Sequence, residues 1–419
     1  MIVEKTLDNG IRIVMEQIPY VQSVSAGIWI RTGAVDEDDS NSGISHFIEH
    51  MMFKGTNRRS PKQIAEDADR IGAGMNAFTG KEATCYYIKS LTSSVDKALD
   101  ILIDMITGSV FDPTELSREK DVIFEEIKMV EDSPDDQISE LLDTLVFEGS
   151  PYSRSVLGTR KALTGIDRDR IMDHMKKEYT ADNMVVSVSG NFEESKIMEI
   201  FNKGLQGFAS MKATKEFSAE QRPAKHLVKI KDVEQAHLCM GIRSLPHQHP
   251  LHYPMQVLSS AFGGSMSSRL FQNIREQKGL AYSIFSASHH FSADGVFEVF
   301  AGISMENMDK VIDAISEEMA LLRANGVTSD ELAIAREQVK SSYVFGRENV
   351  NNRMFANGKN VLLYGKALDV DTVIATLDSI TEEQIKEAAL VVTDLHRYSS
   401  ALICGKEYDL SKRMKEAAQ

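Results

Sequence analysis

The chain has 419 residues, 42% of them hydrophobic and 26% charged, and a formal net charge of −15. This composition is typical of a soluble globular protein, and the length favours two domains or one large one. The acidic balance argues against a nucleic-acid-binding protein, because phosphate contacts require lysine and arginine. No stretch approaches the roughly 20 apolar residues of a membrane span.

Three cysteines, Cys85, Cys239 and Cys404, lie far apart in the sequence. Their odd number and spacing predict neither a disulfide framework nor a Cys-x-x-Cys site, and are typical of a reducing compartment. The first ten residues lack the apolar segment of a secretory signal peptide. We therefore expect a cytoplasmic protein with no nucleic-acid or membrane partner.

Strand and helix signals are mixed along the first half of the chain. Apolar runs with partial alternation indicate strands, and Ser60 followed by Pro61 is a typical helix start. Strand pairs followed by helix pairs favour an α+β fold, with a largely antiparallel sheet and helices packed on one face. In chain order we predict a strand at Val24–Arg31, helices at Ile44–Phe53 and from Ser60, strands at Met75–Phe78 and Thr84–Ser90, and helices at Ser94–Ile106 and Pro113–Asp132.

The second half of the chain repeats the first at a nearly constant offset. Chance similarity between amphipathic helices is the alternative, although such matches would scatter over many offsets. The repeat predicts two homologous domains, residues 1–209 and 226–419, joined by a polar, Pro-containing linker at 210–225. The matching pairs are Val95–Asp100 with Met308–Asp313, Leu163–Ile166 with Leu377–Ile380, and Gly190 with Gly405, at offsets of 213 to 215.

The segment His46-Phe47-Ile48-Glu49-His50 carries the strongest chemical signal. His46 and His50 are four residues apart, so on a helix their imidazoles project from one face and can bind the same cation. Two histidines, a carboxylate and an open water position form a catalytic zinc site. Glu49 is placed to act as general base on that water, and His-x-x-Glu-His is the inverted zincin motif. A surface helix with incidental histidines is the alternative, which the apolar neighbours of the motif disfavour.

The third ligand has to come from outside this helix, and the predicted helix Pro113–Asp132 is rich in carboxylates. Its residues Glu119 and Glu126 share one helical stripe with Ile123 and Val130. An inward-facing carboxylate is costly unless it meets a cation. The stripe therefore favours Glu126 as third ligand and Glu119 as a residue that orients a ligating histidine, but alone it leaves the other carboxylates open.

These residues resemble those of the insulinase/pitrilysin family of inverzincin zinc peptidases, over essentially the whole chain. The chain is most similar to the group of mitochondrial processing peptidase-like bacterial peptidases. The resemblance rests on the motif followed by Met51-Met-Phe-Lys-Gly-Thr56, with Glu126 at the family's downstream ligand distance and Glu119 seven residues before it. It implies one Zn²⁺ per chain, held by both histidines and Glu126.

The resemblance also implies substrate contacts. Asn76, Ala77 and Phe78 match the family's substrate-edge strand, where an extended peptide would pair through backbone hydrogen bonds. An ordinary sheet edge is the alternative. Arg275 and Tyr282 match the family's Arg/Tyr pair, which is implied to hold the substrate carbonyl and stabilise the oxyanion.

The repeat gives an internal check on the metal site. At an offset of 213, the two histidines and the glutamate of the motif correspond to Ser259, Gly263 and Phe262, and no carboxylate corresponds to Glu126. We therefore predict that the second domain holds no metal and supplies substrate contacts. A further histidine cluster, His247–His252, contains Pro250 and has no carboxylate or cysteine nearby, so a polar loop or helix entry is favoured over a metal site.

We predict a zinc-dependent endopeptidase that hydrolyses unfolded peptides or flexible segments, with Glu49 activating the attacking water. The net charge favours basic peptides. In family members of this length two chains form a clamshell, in which the Arg/Tyr pair reaches the partner's zinc. Because this chain carries both sets of residues, we expect a homodimer, with a heterodimer as the alternative. The rival function is a non-catalytic core subunit of the same fold, as in respiratory complexes, although every expected site position is filled here.

Overall fold

The computed structural model describes residues 2–211 and 222–419. Within these residues the chain forms two compact units, each built from three segments. The predicted linker at 210–225 falls mostly outside the described residues, so the boundaries at 209 and 226 stay a prediction. The first unit contains residues 2–128, 154–211 and 345–369, and the second contains 129–153, 222–344 and 370–419.

The first unit is built on a six-stranded sheet with the order β1-β2-β6-β3-β5-β4. Only the β2–β6 pair is parallel, and the other pairs are antiparallel. Strand β4 forms one edge of this sheet, within the described part of the chain. The strands are β1 (Ile2–Thr6), β2 (Arg12–Gln17), β3 (Ser23–Ile30), β4 (Gly74–Thr79), β5 (Thr84–Leu91) and β6 (Met184–Gly190).

The second unit is built on a five-stranded sheet with the order β7-β11-β8-β10-β9. Its strands are β7 (His226–Ile230), β8 (Ala236–Arg243), β9 (Ala281–His290), β10 (Gly295–Ile303) and β11 (Ser399–Cys404). Again one pair is parallel, β7–β11, and the others are antiparallel. The order matches β2-β6-β3-β5-β4 strand for strand, as an internal repeat requires, and the predicted α+β class is confirmed.

Helices α1 to α15 span, in chain order, Ile44–Met51, Pro61–Arg70, Val95–Gly108, Pro113–Asp132, Pro134–Val146, Arg160–Gly165, Arg168–Glu178, Glu194–Leu205, His252–Phe262, Met308–Asn325, Ser329–Gly346, Val350–Tyr364, Val370–Asp378, Glu382–Val392 and Leu410–Ala417. The predicted start of α2 is confirmed, because the Ser60 side chain accepts from the backbone N–H of Gln63 and forms a capping box. Among the residues that the structure describes, no helix combines the length and apolar character needed to cross a membrane.

The main core of the first unit lies on one face of its sheet. Alternate residues of β3, including Ile28 and Ile30, are fully buried there together with Phe47 and Ile48 of α1 and residues of α3 and α8. Burial of such side chains stabilises the fold by roughly 1.5–3 kcal/mol each. This packing fixes α1 on the sheet, and α1 carries the histidine motif.

The opposite face of each sheet is also covered by a helix, which the prediction of helices on one face did not include. Helix α12 packs on β2, β3 and β6, and helix α5 packs on β8 and β11. The reason lies in the small residues of the central strands. A Cβ at Gly27 would lie 2.5 Å from Met354 Sδ of α12, and one at Gly241 would lie 2.9 Å from Leu142 Cδ2 of α5. Gly27 and Gly241 are themselves equivalent in the repeat.

Candidate metal centre

Helix α1 is held at its N-terminus by a buried carboxylate. Gly43 precedes the helix with φ of 92°, a left-handed conformation that favours glycine. Glu37 Oε2 accepts from the Gly43 N–H at 2.6 Å, and Oε1 accepts from the Ser45 N–H at 2.9 Å. Two of the N–H groups that a helix start leaves unpaired are satisfied in this way. Burial nevertheless raises the pKa of Glu37 to about 7.

His46, His50 and Glu126 converge as the sequence predicts. Glu126 Oε2 lies 3.7 Å from His46 Nε2 and 3.6 Å from His50 Nε2. In the described part of the chain these three form the one group of at least three candidate ligands whose ligand atoms lie within 4.8 Å of one another. Atoms bound tetrahedrally to zinc at about 2.0–2.1 Å lie about 3.4 Å apart, so this donor set fits the ion.

A second carboxylate, Glu119, holds the other nitrogen of His50. Its Oε2 lies 3.1 Å from His50 Nδ1, and its Oε1 lies 2.6 Å from Lys54 Nζ. The Glu119 residue is only 5% exposed. A carboxylate on Nδ1 favours the tautomer with the proton there, which leaves the Nε2 lone pair directed to the Glu126 side. No local sequence pattern indicates this role of Lys54, because it follows the end of α1 and its partner is on another helix.

His46 suits metal binding in its charge as well as in its position. The ring centroids of His46 and His50 are 4.6 Å apart. Burial, together with the neighbouring His50, lowers the pKa of His46 to about 4. The His46 ring is therefore neutral at pH 7, the form in which histidine ligates a metal.

Glu49 projects from the same helix toward strand β4. Its Oε2 accepts a hydrogen bond from Thr79 Oγ1 at 2.5 Å. Burial raises the pKa of Glu49, while the Thr79 hydrogen bond opposes this shift. A partly buried carboxylate with raised pKa, beside a metal donor set, can take up and release a proton. No local sequence pattern indicates this role of Thr79, since its contact with Glu49 depends on how α1 packs on β4.

The three predicted substrate-contact residues lie on the edge strand β4. Ala77 is buried, whereas Asn76 and Phe78 are exposed, as alternation along a strand requires. Phe78 contacts Trp29 edge-to-face, with ring centroids 5.4 Å apart. The outer hydrogen-bonding edge of β4 has no neighbouring strand among the described residues.

The predicted Arg/Tyr pair belongs to the second unit. Arg275 lies in a π-helical segment, Phe271–Gln277, with its guanidinium 4.7 Å from the centroid of the Phe271 ring. Tyr282 is on the edge strand β9 and is 73% exposed. The histidines of His247–His252 precede or begin α9, as the proline between them predicts, and they form no metal-ligand group in residues 222–419.

Known sequences match this chain in both halves. Residues 12–160 match insulinase (peptidase family M16), and residues 165–339 match the peptidase M16 inactive domain. The chain belongs to the insulinase family, peptidase family M16.

Insulinase-family relatives in bacteria resemble the chain along nearly its whole length. The uncharacterized zinc protease YmxG of Bacillus subtilis is 41% identical, over 93% of this chain and 95% of its own length. An uncharacterized zinc protease of Streptomyces coelicolor is 34% identical, over 92% of this chain and 85% of its own length.

Solved structures share the fold at lower sequence identity. A protease from Helicobacter pylori has a TM-score of 0.87 at 20% identity, covering 96% of this chain and 99% of that one. A chain of Complex III2 from Candida albicans has a TM-score of 0.86 at 18% identity, with both chains covered completely. At these identities the similarity concerns the fold alone, which serves more than one kind of protein.

Proposed function

We propose that this protein is a zinc-dependent endopeptidase. The observation that carries the proposal is the convergence of His46, His50 and Glu126 beside the carboxylate of Glu49. The zinc-protease names of the bacterial relatives support it. A reducing compartment such as the cytoplasm suits the three cysteines, which are free and buried.

The proposed reaction is hydrolysis of a peptide bond. The two histidines and Glu126 would hold a zinc ion, which would supply polarisation of the substrate carbonyl and lower the pKa of water toward about 7. Glu49 takes a proton from the attacking water and passes it to the leaving amine. Thr79 keeps the Glu49 carboxylate oriented through the hydrogen bond to Oε2. Glu119 fixes the ring of His50, so that its Nε2 stays available as a ligand.

The substrate is proposed to bind as an added strand on the open edge of β4. Backbone pairing accepts many sequences but requires an extended segment, so unfolded peptides and flexible segments fit, whereas folded domains do not. The net charge of −15 would speed association with basic peptides. This part of the proposal is contradicted if matched acidic and basic peptides associate at the same rate in low salt.

Arg275 and Tyr282 are proposed to donate to the developing oxyanion of the substrate. In a homodimer these two residues would serve the metal centre of the partner copy. The exposed side chain of Tyr282 is accessible to such a partner. Mixing two inactive variants, Glu49→Gln and Tyr282→Phe, tests this arrangement. Activity regained on mixing supports the homodimer, because one of the two sites then has both groups. No recovery after subunit exchange, or full activity of a single chain in gel filtration, would overturn it, and a heterodimer would need an added partner chain.

The first experiment compares the wild type with Glu49→Gln for bound zinc and for cleavage of an unstructured peptide library. We expect about one zinc per chain in both proteins and cleavage by the wild type alone. Glu125→Gln is the matched control, because Glu125 is an exposed glutamate of α4 that pairs with Lys128. Zinc without cleavage in either protein would favour the rival, a non-catalytic subunit of this fold, and no zinc would refute the metal site.

A further inference from the structure

A pocket of about 380 Å³ lies beside the first residues of the edge strand β4. It is separate from the metal centre and entirely within the first unit. Its lining includes residues of β4, the end of β5 and the second residue of α12, namely Gly74, Asn76, Tyr87, Lys89, Leu91 and Asn351.

The pocket opens on the face of the sheet that α12 covers. Tyr87 contacts Phe355 of α12, with ring centroids 4.8 Å apart. Because side chains alternate along a strand, Lys89 lies on the same face as Tyr87. Across the ladder, Asn76 is opposite Tyr87 and Gly74 is opposite Lys89, without a register shift. A Cβ built on Gly74 would meet nothing within 4 Å, so the space in front of Lys89 is open.

Lys89 is the one charged residue that lines this pocket. Neither a hydrogen bond nor an ion pair joins its ammonium group to any residue in the described ranges. In a chain of net charge −15, such a lysine beside an open cavity is a local positive centre. Asn76 and Asn351 add polar groups to the wall, and Tyr87 and Leu91 add apolar surface. The lining therefore suits a short aliphatic stem that ends in a carboxylate.

The position of the pocket relative to Glu49 sets which part of a peptide would reach it. Thr79, at one end of β4, contacts Glu49, and Gly74 and Asn76 lie three to five residues back along the strand. At about 3.3 Å per residue this is about 10–17 Å from the catalytic end. A peptide paired with β4 places every second side chain on the α12 face, so one of them enters the pocket.

We propose that this pocket is a specificity subsite, in which Lys89 binds an aspartate or glutamate side chain of the peptide, about three to five residues from the scissile bond. The proposal rests on the proposed peptidase function and on β4 as the substrate strand. The net charge of the chain would attract basic peptides in general, and the pocket would in addition select one acidic residue at a fixed position in the peptide.

The test uses one unstructured peptide cut at a single bond. Glutamate is placed in turn at each position up to six residues on either side of that bond, with glutamine and lysine versions as matched partners. We expect kcat/KM to favour glutamate over glutamine about fivefold at one position, the size of a partly exposed ion pair. Lys89→Met should abolish this ratio, and Lys89→Glu should reverse it toward lysine. Lys62→Met, an exposed lysine of α2 outside the pocket, should keep it.

Binding is measured separately so that the subsite and the peptidase function can fail independently. In the Glu49→Gln background, fluorescence anisotropy gives Kd for the glutamate and glutamine peptides with and without Lys89→Met. A glutamate preference that Lys89→Met removes supports the subsite, even if no peptide is cleaved. Equal ratios at every position in the wild type and in Lys89→Met would overturn it, whereas cleavage of no peptide by zinc-loaded wild type would refute only the proposed function.

Discussion

Glu119 and His50 are joined by a contact of 3.1 Å between Oε2 and Nδ1, on the side of the imidazole away from Glu126. The contact places a buried carboxylate behind a proposed ligand. Partners of this kind fix the ring and raise its basicity. We therefore expect the zinc affinity of the proposed site to depend on a residue that is not itself in the proposed ligand set.

Replacement of Glu119 should weaken zinc binding without removing a ligand. We expect Glu119→Ala to raise the zinc dissociation constant about 10- to 100-fold, because His50 loses its orienting partner. Lys54 also loses the carboxylate with which it pairs. Chelator competition measures the constant. Glu125→Ala, one helix residue before Glu126 and largely exposed, should bind zinc as the wild type does. Equal affinities in Glu119→Ala and Glu125→Ala would contradict the role of Glu119.

Loss of the Thr79 hydroxyl should impair catalysis more than metal binding. In Thr79→Val the Glu49 carboxylate loses its 2.5 Å hydrogen bond, so its orientation toward the attacking water is no longer fixed. We expect kcat to fall about tenfold or more, with zinc content unchanged. Thr79→Ser keeps a hydroxyl at this position and should recover most of kcat. The idea fails if the valine and serine variants have the same kcat.

Glu37 should make the stability of the protein depend on pH. Its ordinary pKa of 4.5 is raised to about 7 in the fold, chiefly by burial. The folded chain thus binds this proton more tightly than the unfolded chain. The contribution of this proton to the free energy of unfolding is complete below about pH 4.5 and is lost as pH rises through 7. From pH 5 to pH 8 the free energy of unfolding should fall by about 2–3 kcal/mol more in the wild type than in Glu37→Gln.

Urea unfolding at both pH values measures this difference. The free energies of unfolding of the two proteins should also differ by an amount that does not change with pH. The reason is that the glutamine amide nitrogen cannot accept a hydrogen bond from the Gly43 or Ser45 N–H. Glu125→Gln, on the surface of α4, should follow the wild type at both pH values. Parallel pH profiles for the wild type and Glu37→Gln would show that Glu37 titrates normally.

The contact of α12 with the first sheet should be sensitive to a single methyl group. A Cβ at Gly358 would lie 2.2 Å from Trp29 Nε1, so Gly358→Ala has to displace the indole or the helix. We expect a loss of about 1–3 kcal/mol in the free energy of unfolding. Gly346→Ala, at the end of α11 with nothing within 4 Å of its Cβ, should be neutral or slightly stabilising. Equal stability of the two variants would contradict close packing at Trp29.

Much of the geometry of the candidate metal centre could be predicted from the sequence, because its parts are periodic. The spacing of His46 and His50 fixes their common helix face, and the stripe through Glu119 and Glu126 points two carboxylates inward. The contacts of Thr79 and Lys54 could not be predicted in this way. Each depends on the packing of two elements that are distant in sequence, for which a single sequence has no local signal.

The fold could be predicted in class but not in the placement of two helices. Strand alternation and the repeat indicate the α+β units, since both depend on local periodicity. The position of α5 and α12 depends instead on room made by Gly27 and Gly241. A glycine in a strand has several meanings, among them a bulge or a close approach, and the sequence does not distinguish them.

Helices α5 and α12 are exchanged between the two halves of the chain: each comes from one half and covers the sheet of the other. Neither half therefore encodes a complete unit. A fragment ending near residue 209 would leave the α12 face of its sheet, with Trp29 and Val185, open to water. The N-terminal and C-terminal halves, produced together as separate fragments, would each supply the helix that the other lacks. Each fragment alone would expose an apolar surface prone to aggregation. The two repeated halves of this chain therefore cannot be separated into two independently folding proteins.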